Sequence, residues 1–181
     1  NLYSLLGGLA FVGLFIMHGA SFLSLKTGGE IAARAKRASF LGWIGGGILT
    51  VIFLVWTFFA TDILTKPGVN GIIPAILAAV SLLGAGWFIR KEQPGRAFLA
   101  GVLTIAFAVV MVFTGLFPRL LISTLNPNWS LTISNASAST YTLKVMSIVA
   151  AVFVPIVLVY QGWTYWVFRK RLTPDSKELV Y

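Results

Sequence analysis

Apolar residues along this 181-residue chain fall into long runs, interrupted by short segments that are polar, basic or rich in glycine and proline. An α-helix rises about 1.5 Å per residue and must cross about 30 Å of hydrocarbon, so a spanning segment needs roughly 20 apolar residues. Five runs meet that requirement, from about 3 to 25, 39 to 60, 72 to 89, 97 to 117 and 143 to 168. Unpaired backbone groups are too costly in lipid for any open structure, and alternating short runs are too few for a barrel, so each run is expected to be helical. Turn chemistry supports the boundaries: Gly28 and Gly29 follow the first run, Pro67 and Gly68 precede the third, and Pro94 and Gly95 separate the third from the fourth. The pattern predicts an all-α polytopic membrane protein, a four-helix bundle plus one peripheral helix, with 1–181 as a single transmembrane domain. Most connections are tight. The outer segment 118–142 is long, rich in Asn, Ser and Thr and free of acidic residues, which suggests a folded cap or a partner contact.

Composition strengthens that reading. Hydrophobic residues make up 57% of the chain and charged ones 10%, with a mean hydropathy of +0.88, far from the balance of a soluble domain. There is no cysteine, which excludes a disulfide, a thiolate metal site, an iron–sulfur cluster and a cysteine nucleophile. The sequence opens at Asn1 and enters an apolar run with no basic leader and no small-residue cleavage motif. Such a beginning is expected of a processed product or of the second part of a longer polypeptide.

Charge then orients the helices. The formal net charge is +9, but the basic residues flank membrane-length segments and do not cover one soluble surface, which argues against nucleic acid as the partner. Lys26, Arg34, Lys36 and Arg37 follow the first run; Arg90, Lys91 and Arg96 follow the third; Arg169, Lys170, Arg171 and Lys177 follow the fifth. The second and fourth connections hold only Lys66, Arg119 and Lys144. By the positive-inside rule the eleven-to-three bias places the N-terminus outside and the C-terminus in the cytoplasm, as an odd number of spans requires.

Candidate chemistry is sparse. His18 is the only histidine and the one ionisable side chain deep within a run, which makes it a functional candidate by position. It could hydrogen-bond across helices, with Ser21 three residues on as a partner, contact a proton or quinone, or ligate haem iron. A bis-histidine haem within the chain is excluded by the single histidine. Met17 points about 100 degrees away from His18, a poor arrangement for shared axial ligation. Asp62 lies just beyond the second run and reads as an interfacial charge, and no buried carboxylate pair is present. No catalytic, cofactor-binding or metal-ligating residue is therefore assigned.

Gly42 and Gly46, four residues apart, offer a small-residue face for helix packing, and Gly7, Gly8 and Gly19 could do the same on the first helix. No Walker lysine follows these glycines. Pro155 is expected to bend the last helix. Trp163, Tyr165 and Trp166, followed by Arg169, Lys170 and Arg171, fit an aromatic and basic anchor at the cytoplasmic interface better than a quinone-headgroup site. The acceptor patterns Asn128-Trp129-Ser130 and Asn135-Ala136-Ser137 read as loop polarity.

Two stretches carry a resemblance. The first runs from Leu5-Leu6-Gly7-Gly8-Leu9-Ala10-Phe11 to Met17-His18-Gly19-Ala20-Ser21-Phe22-Leu23. The second comprises Asn126-Pro127-Asn128-Trp129-Ser130-Leu131-Thr132-Ile133, Asn135-Ala136-Ser137, Tyr141-Thr142-Leu143-Lys144-Val145-Met146, and Phe153-Val154-Pro155 to Trp166. Together they resemble the C-terminal half of subunit II of the bacterial cytochrome bd quinol oxidase. The resemblance implies a non-haem structural subunit in the bacterial cytoplasmic membrane. Its expected partners are the haem-bearing subunit I and the N-terminal half of subunit II, with a small single-helix subunit left open and membrane lipid around them. It also implies a complex that oxidises quinol and reduces oxygen to water with two b-type haems and one d-type haem in subunit I, generating a proton-motive force without pumping. The acidic and arginine positions that the family uses for proton delivery lie mainly in its N-terminal half, so none transfers here. A transporter or channel subunit, which would favour paired broken helices or buried charges, and a membrane assembly factor are the competing classes.

Overall fold

The computed structural model describes residues 1–123 and 125–172. Its helices are α1 (Leu2–Lys26), α2 (Gly29–Ala60), α3 (Ile72–Arg90), α4 (Pro94–Leu116) and α5 (Thr140–Val167), and all five are long and apolar enough to cross a membrane. Packing divides the chain into two compact units, one holding α1–α4 together with the segment from Arg171, the other spanning Pro118–Lys170.

Local sequence explains where the helices start and stop. Asn1 caps α1 by accepting from the Ser4 backbone N–H at 3.0 Å. The stretch expected as the first connection is helical from Gly29 onwards, so only Thr27 and Gly28 separate α1 from α2. Ala32, Ala33, Ala35 and Ala38 among basic residues are strong helix formers, and no breaker follows Gly29, so the helix simply begins earlier than its apolar run. At 32 residues α2 is about 48 Å long, about 18 Å more than the hydrocarbon needs. That surplus carries Arg34, Lys36 and Arg37.

The turn between α3 and α4 is made differently. Glu92 takes a left-handed conformation, φ 54°, where glycine is the usual choice. The Glu92 N–H donates to Ile89 O at 3.1 Å and the Gln93 N–H to Phe88 O at 3.0 Å, and Pro94 then opens α4 at a position where its missing N–H costs nothing.

Inside the first unit, two apolar clusters form. Leu14, Met17, Leu82, Ala85 and Ala100 make one, with Trp43 and Phe88 against it; Ile63, Leu64, Ala75 and Met111 make the other. Ile63 and Leu64 come from the connection after α2. Ile63 sits so close to Gly115 that a Cβ there would lie 2.2 Å from its Cγ2, and its carbonyl accepts from the Gly71 N–H at 2.9 Å. Lys66, in the same connection, donates to the carbonyl of Phe117.

In the second unit, β1 (Arg119–Leu121) pairs antiparallel with β2 (Leu131–Thr132), and buried Ser130 accepts from the Ser123 N–H at 3.1 Å. Asn135 donates to Ser130 O at 3.1 Å and accepts from the Thr132 N–H at 2.7 Å, so the Asn- and Ser-rich composition of this loop is used for its own hydrogen bonds. Ser139 caps α5 by accepting from the Thr142 N–H. The helix runs without interruption through Pro155 and buries none of its residues.

Candidate functional site

Apolar attraction between helices is weak in lipid, so close backbone approach and interhelical hydrogen bonds must do more of the work. The α1–α2 contact shows both. A Cβ on Gly46 would lie 2.8 Å from the backbone of Gly13, and one on Gly42 would lie 2.8 Å from the Met17 backbone nitrogen. Gly42 and Gly46 thus face α1, and the residue that receives Gly46 is Gly13, which the sequence pattern does not single out. Gly7 lies against Phe53, whereas Gly8 and Gly19 have open space above them within this unit.

The predicted partnership of His18 with Ser21 is not made. The Ser21 hydroxyl donates to Met17 O at 2.8 Å, and the Ser21 and Ser39 hydroxyls are 2.7 Å apart, joining α1 to α2. His18 turns the other way, towards α4. Its ring stacks on Phe98 with centroids 4.6 Å apart, and a Cβ on Gly101 would come within 3.1 Å of Nδ1. The cause is the position of α1 between two neighbours: residues three apart are close on a helix, yet the shorter Ser21 side chain folds back on its own turn while the imidazole reaches outward. Nδ1 is buried and has no hydrogen-bond partner among the described residues. Met17, its neighbour in sequence, is wholly buried in the core.

At the same end of the unit, the basic segments come together. Lys36 Nζ lies 2.7 Å from Glu92, linking the start of α2 to the α3–α4 turn. The Lys36 hydrogen bond, and then its charge, hold the Glu92 carboxyl below the usual glutamate range. The Arg90 guanidinium lies over Trp43 at 5.4 Å and over Phe40 at 5.8 Å. Arg171 Nε donates to Thr27 O at 2.7 Å, the Gly28 N–H to Leu172 O at 2.9 Å, and the Leu172 N–H to Lys26 O at 2.8 Å. Lys177 lies outside the described residues.

The proposed anchors of the last helix are exposed at its C-terminal end: Trp163, Tyr165 and Trp166, with Arg169 over the Trp166 ring at 4.6 Å and Lys170 following. Asp62 lies in the turn after α2, where its carbonyl accepts from the Thr65 and Lys66 N–H groups. Among the described residues, no group of three or more His, Asp or Glu side chains could hold a metal ion.

Known proteins put a family to this arrangement. The chain is 37% identical over 175 residues to cytochrome bd ubiquinol oxidase subunit 2 of Bacillus subtilis (strain 168), across 96% of this chain and 51% of that protein. It is 28% identical over 207 residues to cytochrome bd-I ubiquinol oxidase subunit 2 of Escherichia coli (strain K12), across 98% of this chain and 55% of that protein. It is also 28% identical over 194 residues to a probable cytochrome oxidase subunit 2 of Haemophilus influenzae, across 91% and 51%. The chain therefore spans about half the length of the curated relatives it matches. These relatives and the five apolar helices indicate a multi-pass protein of the bacterial cytoplasmic membrane. With the model of the family described as cytochrome bd terminal oxidase subunit II matching residues 1–168, this chain belongs to that family of respiratory oxidase subunits.

Proposed function

We propose that the chain acts as a structural, haem-free part of a cytochrome bd-type terminal oxidase. Its expected partners are a haem-bearing subunit I and the other half of subunit II, with a small single-helix subunit left open. The complex oxidises quinol and reduces oxygen to water, with two b-type haems and one d-type haem in subunit I. Protons released outside and taken up from the cytoplasm generate a proton-motive force without a pump. The observation that carries this reading is the family match over residues 1–168. A sequence with one histidine and no cysteine supports chemistry held in the partner.

The same reading gives the helices an orientation. The segments bearing Lys36, Arg90 and Arg171 meet at one end of the first unit, which supports a cytoplasmic face there, an outer N-terminus and a cytoplasmic C-terminus. Residues 1–181 are taken as a single transmembrane domain, with 118–142 outside and Trp163, Tyr165, Trp166, Arg169, Lys170 and Arg171 as interfacial anchors. Gly42 and Gly46 serve helix packing, and His18 and Ser21 serve as separate polar contacts of α1.

The test is to purify the intact assembly in mild detergent and record its reduced-minus-oxidised spectrum and its quinol-dependent oxygen uptake. Co-purifying b- and d-type haem with oxygen uptake is the expected result. An intact assembly with neither would overturn the proposal in favour of a transporter, channel or assembly role.

A further inference from the structure

Between the two apolar clusters of the first unit lies a cavity of about 180 Å³, bounded by all four helices α1–α4. Members of both clusters face it, Leu14 and Leu82 from one and Ala75 and Met111 from the other. Its only polar side chains are Thr50 and Thr104.

These two threonines differ. Thr104 donates to Ala100 O, four residues back, at 2.8 Å, as Thr57 does to Phe53 O at 2.7 Å. That bond is the ordinary resting place of a hydroxyl within a helix. The Thr50 hydroxyl is also buried, but it has no partner among the described residues. It thus marks a single point in an otherwise carbon-lined space where a hydrogen bond is waiting to be made.

A route for a guest is visible in the same lining. Val51 and Leu83 border the cavity and also a groove of about 390 Å³ on the surface of α2 and α3. Both residues are exposed, at 58% and 67%. The α2–α3 seam is also the loosest contact between neighbouring helices of this unit. Entry of a molecule dissolved in the bilayer would therefore be sideways, at the shared wall formed by Val51 and Leu83.

We propose that this cavity is a binding site for a neutral, single-ring, lipid-soluble guest carrying one hydrogen-bonding group, which Thr50 Oγ1 recognises. Size sets the class, because an apolar protein cavity of about 150 Å³ stays dry and takes up benzene. Polarity sets the rest. A charged guest would meet no counter-charge, and water would find too few polar partners to remain. A ring with one hydroxyl satisfies Thr50 and leaves the apolar walls covered.

The test uses the assembled complex in lipid nanodiscs, with 4-fluorophenol and fluorobenzene as probes followed by fluorine NMR against protein-free nanodiscs. Both probes are expected to show saturable binding that Ala78→Phe, which fills the cavity, removes. Thr50→Val should weaken 4-fluorophenol about five- to tenfold while leaving fluorobenzene unchanged, and Thr50→Ser should keep the wild-type affinity for both. Absence of saturable binding, or equal 4-fluorophenol affinity in the wild type and Thr50→Val, would overturn the proposal. If Ala78→Phe does not assemble, the comparison of Thr50→Val with Thr50→Ser still decides.

Discussion

The indole of Trp43 occupies the notch left by Gly86: a Cβ on that glycine would lie 2.1 Å from Trp43 Cε2, and the indole N–H donates to Leu82 O at 2.8 Å. One residue of α2 is thereby fixed on α3 by shape and by a hydrogen bond in a medium where water cannot compete for either. Gly86→Ala should destabilise the subunit by about 1–3 kcal/mol through overpacking. Thermal unfolding of the assembled complex measures the loss. The double variant with Trp43→Phe should be less damaged than the sum of the two single changes, because the smaller ring vacates the notch.

The glycines of α1 and α2 should separate by position. Gly46→Ala drives a methyl into the Gly13 backbone and should cost about 1–3 kcal/mol. Gly19→Ala, with open space above it, should leave stability unchanged or raise it by up to about 1 kcal/mol. Equal losses at the two positions would contradict the packing described.

His18→Ala removes the ring stacked on Phe98 and should weaken assembly by about 1–2 kcal/mol. Haem spectra of the complex that does assemble should be unaltered. Normal assembly with selective loss of one haem signal would show instead that the imidazole serves the cofactor directly.

The ion pair of Lys36 and Glu92 carries a pH signature. Because the folded state holds the Glu92 carboxyl below its ordinary value, the contribution is complete above the unfolded pKa and disappears as pH falls through the folded one. Both side chains are substantially exposed, so the effect should be small and should shrink further in high salt. Glu92→Gln should therefore be slightly less stable than wild type at neutral pH and indistinguishable from it in strong acid. Glu92→Gly should recover part of the deficit by relieving the left-handed backbone.

A reporter fused after Arg171 should behave as cytoplasmic, and one inserted in 118–142 as external. The opposite pair of signals would invert the orientation drawn from the basic clusters.

Much of the fold was legible because bilayer thickness acts as a ruler on apolar run length. The five helices follow from it, and Gly42 and Gly46 stand out within their run. The contacts between helices were harder to see, since a helix facing lipid on one side and protein on the other is apolar on both and leaves no periodic mark. Gly13 opposite Gly46, Ile63 against Gly115 and Trp43 over Gly86 are of this kind. The outcome at His18 and Ser21 has another cause. Their spacing put them on nearby positions of one helix, but which neighbour each side chain meets depends on α2 and α4 flanking α1, and that arrangement is not written in any local segment. Thr50 carries no mark in the sequence that sets it apart from Thr57 or Thr104; only the missing carbonyl partner of its hydroxyl does so.

Arg171 and Leu172 fasten to the turn between α1 and α2, and they leave the ribosome after every helix of the chain has been made. The turn between α1 and α2 thus acquires its last hydrogen bonds only when translation has passed α5. Until then Lys26 O, Thr27 O and the Gly28 N–H have to find other partners, so this joint closes only on a chain that already includes α5.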